Sequence, residues 1–264
     1  MRTTAIMNLK GGTAKTVTAI NLAAILAHDY AQRVLLVDAD SQANLTDFVA
    51  GATVDDNTPG GFADLLRGED GKVLPTKIQN VKILIGDSSL MELDVTAASS
   101  GIANPMALAE FLETVADRFD WCIIDCPPAF SAGAMAALIA ADEVVIPMKL
   151  DAFGVRGISN MIEQIRNMRR INPKLEVAGV LPTMTYRDKL QAEKASEIRA
   201  TLASCQIRTF NNIRRSPLVD RLTFDQSPLV TASPKSHTLK DYRIFAKRLI
   251  GDYLDDETLE GGAV

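Results

Sequence analysis

The sequence contains no apolar run approaching the roughly 20 residues that a membrane-spanning helix needs. Residues 1–8 also lack the charged start, apolar stretch and cleavage site of a signal peptide. A soluble protein working in the cytoplasm is the expectation. Cysteine is scarce: Cys122, Cys126 and Cys205 are odd in number and lack metal-like spacing, which argues against a disulfide framework or a zinc site. His28 and His237 add no metal set. A basic excess is missing too, since 28 Lys and Arg face 33 Asp and Glu for a net charge of −5. That disfavours a strongly basic nucleic-acid binder, although a local basic face can coexist with an acidic total. Charge alone leaves DNA undecided. No internal repeat or low-complexity tract is visible.

What is present is ordinary globular composition, 47% hydrophobic and 23% charged in 264 residues. That suffices for one domain over residues 1–254. Residues 255–264, acidic and then Gly-rich, read as a frayed tail. Apolar patterning predicts strands at 3–8, 33–38, 121–126, 143–148 and 175–182. It predicts helices at 16–26, 132–140, 154–170, 190–202 and 239–254. Strands alternating with helices imply an α/β fold, a mostly parallel sheet with helices on both faces. Ligands of such sheets bind beyond the carboxyl ends of the strands, so chemistry is sought just after Met7, Val37 and Ile124. Residues 51–61 and 68–75, rich in Gly, Asp and Pro, read as surface loops.

After the first strand comes Leu9-Lys10-Gly11-Gly12-Thr13-Ala14-Lys15-Thr16, running straight into a helix. Glycines let backbone N–H groups approach an anion, and the helix N-terminus adds its positive end. Lys15 can neutralise phosphate, and the Thr16 hydroxyl can join a Mg²⁺ shell. The strict pattern GxxxxGK[ST] is not met, because Leu9 and Ala14 stand where glycines would be. The loop instead resembles the deviant Walker A motif KGGxGK[ST] of the ParA and MinD families. Asp38-Ala39-Asp40-Ser41-Gln42-Ala43-Asn44-Leu45-Thr46 resembles that group's second box, DxDPQxNxT. Two carboxylates at i and i+2 on a strand end face the same way, toward a metal and an attacking water. Trp121 to Pro128, carrying Asp125, resembles the Walker B strand.

The resemblance implies a P-loop ATPase of the deviant Walker A type that takes ATP and Mg²⁺. It implies a nucleotide held by Lys10, Gly11, Gly12, Thr13, Ala14, Lys15, Thr16 and Val17, with Lys10 reaching across to a partner's nucleotide in an ATP-bound homodimer. It assigns water activation to Asp40, joins it with Lys10 and Lys15 as catalytic, and gives the metal to Thr16, Asp38 and Asp125. More loosely, residues 178–184 and 212–216 resemble segments beside the adenine, which brings in Met184, Arg214 and Arg215. Tyr186 stands where the family often has Asp. Ala14 is the main departure: if the loop needs positive φ there, alanine costs about 1–2 kcal/mol, which suits slow turnover.

Within the superfamily, the acidic end of the last helix disfavours membrane docking, and the absence of paired cysteines disfavours cluster carriers. The ParA branch remains, short and without an N-terminal helix-turn-helix domain. The resemblance implies DNA binding without sequence preference, a ParB-like centromere-binding partner, and plasmid or chromosome partition at the nucleoid. Basic candidates for DNA are Arg187, Lys189, Arg214, Arg215, Arg221, Lys240, Arg243, Lys247 and Arg248. The alternatives are a slowly hydrolysing, nucleotide-loaded adaptor or co-regulator, and a positioner of another cargo.

Overall fold

A computed structural model describes residues 1–51, 54, 58–100, 103–186 and 188–251. The tail 255–264, Arg187 and part of the 51–61 loop lie outside them. Strands β1 (Arg2–Ile6), β2 (Val34–Asp38), β3 (Leu74–Pro75), β4 (Val81–Leu84), β5 (Trp121–Asp125), β6 (Glu143–Lys149) and β7 (Glu176–Thr183) form one sheet in the order β3-β4-β2-β5-β1-β6-β7. Every pairing is parallel except the short edge pair β3 and β4.

Helices cover both faces of this sheet, as the alternation predicts. They are α1 (Lys15–Asp29), α2 (Asn44–Ala50), α3 (Phe62–Leu66), α4 (Ser89–Ser100), α5 (Ala107–Val115), α6 (Ala132–Ala140), α7 (Ala152–Met168), α8 (Lys189–Ser204), α9 (Pro217–Phe224), α10 (Leu229–Ala232) and α11 (His237–Gly251). The two-residue period of the strands sorts their side chains. Leu35, Val37, Cys122, Ile124, Val144 and Ile146 enter the core shared with α5, α6 and α7. Val34, Leu36, Ile123 and Val145 enter the opposite core with α1 and α11. Because the central strands are buried on both faces, they read as continuous apolar runs such as VLLVD and WCIID. Helix α1 is buried nearly all round, between the sheet and α11, where Thr18 and Tyr242 hydroxyls lie 3.3 Å apart. Phe245 of α11 meets Phe210 edge to face, with ring centroids 5.0 Å apart.

The elements β1, α1, β2, β5, α6, β6, α7, β7, α8 and α11 fall within a few residues of the predicted spans. Strands β3 and β4 and helices α2–α5, α9 and α10 are additional. One reading needs correction: Gly60 and Gly61, placed in a surface loop by composition, are buried. The Phe62 N–H donates to the Ile85 carbonyl at 2.8 Å, and the Lys72 N–H donates to Gly60 at 2.8 Å. A Cβ on Gly61 would meet the Asp87 carboxylate at 3.0 Å, so glycine there serves close packing rather than exposure.

Strand order converges the chemistry. Ile6 and Asp38 are both register partners of Asp125, on either side of β5. The loop from β1 to α1 therefore leaves the sheet beside both carboxylates.

Candidate functional site

The loop after β1 is fixed by side chains that cap its turns. Asn8 donates to the Pro147 carbonyl at 2.7 Å and accepts from the Lys10 N–H at 2.9 Å. The Thr183 hydroxyl donates to the Thr13 carbonyl at 3.0 Å, pinning the loop to the end of β7. Gly12 has φ 68 and Ala14 has φ 67, so the position where alanine replaces glycine is left-handed. No side chain caps the start of α1, and no acid sits in its first turn. Those N–H groups and the helix dipole are left to an anion.

The loop opens on a cavity of about 560 Å³ lined by Gly11, Gly12, Thr13, Ala14, Lys15, Thr16 and Val17, and by Asp40. Met184, Thr223 and Gln226 close its far side. A second cavity of about 300 Å³ shares Gly12, Ala14, Val17, Met184 and Thr223 with it, and extends over Ile213, Arg214, Arg215 and Ser216. Phosphate cradle and base-side residues are thus contiguous. Met184 itself has φ 53.

Three charged groups sit beneath the cradle. Lys15 is buried at 7% exposure; burial lowers its pKa, while Asp125 and Asp40 oppose that. Asp125 is 1% exposed, and neither of its oxygens accepts a hydrogen bond. Burial, then the Asp38 charge, push its pKa well above the ordinary carboxylate value, against the pull of Thr16 and Lys15. Asp38, fully buried, is pushed up to about 6 by desolvation, although hydrogen bonds from Thr46 and Asp40 favour its charged form. One Asp38 oxygen accepts from the Thr46 N–H and hydroxyl, both at 2.8 Å; the other accepts from the Asp40 N–H at 3.2 Å.

The two carboxylates of the second box therefore diverge. Asp38 is spent on the first turn of α2, and Asp40 lines the cavity. An unpartnered buried carboxylate beside the Thr16 hydroxyl suits a hard divalent cation, which takes oxygen ligands. Asp125 and Thr16 would hold Mg²⁺, which would neutralise phosphate charge there.

The remaining candidates are placed differently. Arg214 ties its guanidinium to the Asp241 carboxylate at 2.6 and 2.7 Å and to the His237 carbonyl at 3.0 Å, so its side chain anchors α11. Arg215 lies over the Tyr186 ring, 5.5 Å from its centroid, and bonds the Tyr186 hydroxyl. Arg243 pairs with Asp29 at 2.7 Å. Lys240, Lys247, Arg248 and Arg221 are exposed, and Lys189 opens α8. The carboxyl end of β6 supplies two residues that pattern reading missed, Lys149 and Asp151. Asp151 holds the Lys10 ammonium at 2.7 and 2.9 Å. The rule that ligands gather at strand carboxyl ends, applied to β6, would have found both.

A left-handed alanine costs about 1–2 kcal/mol, of which glycine's larger unfolded entropy returns about 0.4–1 kcal/mol. Ala14→Gly should therefore stabilise the nucleotide-free protein by about 1 kcal/mol or less in urea unfolding; a loss of stability would contradict the strain. Carboxylates with raised pKa bind more protons folded than unfolded, so nucleotide-free stability should fall as pH rises through the Asp38 value of about 6. Asp125→Asn removes a buried carboxyl group without a hydrogen-bond partner and should raise nucleotide-free stability at pH 7 by about 1–3 kcal/mol. Asp38→Asn, which removes the group assigned to that fall, should flatten the dependence near pH 6. An unchanged profile would contradict the buried charge.

Known proteins are similar to this chain in sequence and in fold. The family model described as an AAA domain matches residues 1–177. The chain is 33% identical over 208 residues to the chromosome partitioning protein ParA of Caulobacter vibrioides, covering 76% of each. It is 30% identical over 251 residues to the sporulation initiation inhibitor protein Soj of Bacillus subtilis, covering 93% of this chain and 96% of that one. The solved structure of cobyrinic acid a,c-diamide synthase from Mycobacterium smegmatis, with bound ATP analogue and magnesium, superposes with TM-score 0.78 at 26% identity, over 96% of each chain. By these matches in sequence and fold, the chain belongs to the ParA family, within the ParA/MinD superfamily of P-loop partition ATPases.

Proposed function

We propose that the protein is a positional switch in which ATP closes two copies face to face and the closed dimer binds DNA without sequence preference. A ParB-like partner then stimulates slow hydrolysis and release, moving a plasmid or chromosome over the nucleoid. The observation that carries the reading is the Lys10 contact. Its ammonium sits at the loop that cradles phosphate, held by Asp151, with the two side chains 36% and 40% exposed. A pair that exposed contributes about 0–1 kcal/mol. Polyphosphate presented by a second copy competes readily for such a lysine, whereas the buried Lys15 stays with its own nucleotide. Asp40 lines the same cavity, which supports assigning it the orientation of the attacking water.

On this reading DNA contacts come from exposed basic side chains, Lys240, Lys247, Arg248 and Arg221, together with Lys189 and with Arg187, which lies outside the described residues. Arg214 and Arg243 are committed to Asp241 and Asp29 and hold α11 in place. No helix among the described residues is long and apolar enough to cross a membrane. The strained Ala14 favours a second reading, a nucleotide-loaded adaptor that barely turns over.

Duplex DNA binding measured with ATP, with ADP and without nucleotide tests the proposal, with oligomeric state followed by sedimentation. ATP-dependent dimerisation and salt-sensitive DNA binding are expected together; equal DNA binding in all three states would reject the switch. Lys15→Ala should abolish nucleotide binding. Asp40→Ala should accumulate an ATP dimer that keeps DNA bound, and normal turnover by that variant would remove Asp40 from the chemistry. Turnover that stays flat with DNA and partner present would select the adaptor.

A further inference from the structure

Three lysines surround the phosphate loop, and their charges are balanced unequally. Lys15 lies among Asp125 and Asp40. Lys10 is clasped by Asp151. Lys149, the last residue of β6, is half-buried, and its ammonium has neither hydrogen bond nor ion pair among the described residues, although its carbonyl accepts from the Asp151 N–H at 2.9 Å. Its position is not that of a lysine free to swing in solvent. The six residues before it in β6 are buried, and its register partner is Thr183, whose hydroxyl is bonded to the loop at Thr13. The Lys149 backbone and the phosphate loop are thereby held in one frame. Its ammonium stands over Gly12, 4.0 Å from where a Cβ on that residue would be, and the side chain lines the cavity that Gly12, Ala14 and Val17 share with the phosphate cradle. The nearby carboxylate, Asp151, already serves Lys10.

A cation held over the apex of an anion cradle, in a chain whose net charge is −5, is best balanced by the ligand. We infer that Lys149 is a further nucleotide-binding residue, whose ammonium takes the polyphosphate of a nucleotide held by this copy or by a second copy closed against it. The inference rests on the ATPase reading and adds a third lysine to Lys15 and Lys10. A point charge on a flexible stem suits phosphate from either direction, and it would matter more to ADP and ATP than to adenosine.

Lys149→Gln and Lys149→Met test this together, since Met keeps the stem beside Gly12 and guards against a folding defect in either variant. ADP affinity of the full chain is measured by calorimetry at two salt concentrations. ATP-dependent dimerisation is measured by sedimentation in the Asp40→Ala background. Loss of about tenfold in ADP affinity, with a shallower salt dependence and with Lys149→Arg close to the parent, places the ammonium on its own copy's nucleotide. Unchanged ADP affinity with about tenfold weaker ATP-dependent dimerisation places it on the second copy's nucleotide. Unchanged ADP affinity and unchanged dimerisation in both neutral variants would overturn the inference. A parent protein that binds neither ADP nor ATP would instead overturn the ATPase reading itself.

Discussion

The rest of the structure depends on a carboxylate that the fold buries and leaves without a hydrogen bond. Asp125 ends the central strand of a sheet covered on both faces, in register with Asp38 on one neighbouring strand and Ile6 on the other. Burial raises the pKa of both buried carboxylates, and the Asp38 charge adds to it at Asp125. One of them is relieved internally. Thr46 and the Asp40 N–H satisfy Asp38, and the Thr46 hydroxyl also accepts from the Gly86 N–H at 3.0 Å, so β2, α2 and the end of β4 are joined through one side chain. Asp125 has only the nearby Thr16 hydroxyl and the Lys15 ammonium in its favour, and both belong to the start of α1. The nucleotide-free fold therefore stores an electrostatic cost that a cation and its phosphate ligand offset on binding.

The loop above that carboxylate is held in place more firmly than its composition suggests. Ala14 and Gly12 are both left-handed, and a non-glycine residue keeps that conformation only when its surroundings over-determine it. Here Thr183, Asn8 and the buried α1 do so from three sides: β7, β6 and the helix core. The same device recurs at Ala43, φ 50, where the chain turns from Asp40 into α2, and at Met184, φ 53, at the base-side wall. Ala14 and Met184 both line the cavity, where a preformed backbone lowers the ordering cost of ligand binding.

Much of this was legible in residue order. The glycine-rich loop, the paired aspartates and the strand ending in Asp125 name their chemistry because phosphate, metal and strand ends impose narrow choices. The parallel sheet follows from apolar runs separated by amphipathic stretches. Other features were hidden for physical reasons. Strand β4 is four residues long and β3 two, and neither pattern rises above its loop. Helices α2 and α3 are short and bury nearly everything, so they show no stripe. Gly60 and Gly61 have loop composition but core packing, and only the bonds at Phe62 and Lys72 reveal it. Arg214 looked like a ligand for the base, while its geometry gives it to Asp241; a sequence shows that an arginine is present but not which carboxylate it meets.

Burial also divides the cations of the site into two kinds. Lys15 is enclosed with the carboxylates beneath the loop, where an ion pair is strong but partners cannot be exchanged without exposing a charge to low dielectric. Lys10 and Lys149 stand at the rim, the first in a solvent-screened pair and the second half-buried with no partner among the described residues, so redirecting either toward a new anion is inexpensive. A switch needs both kinds. On the proposed reading, the buried lysine would make nucleotide binding part of the fold's own charge balance, while the rim lysines would let the bound phosphate be recognised by a second copy. A chain with only buried cations would bind nucleotide without reporting it, and one with only rim cations would bind phosphate too weakly to distinguish nucleotide states.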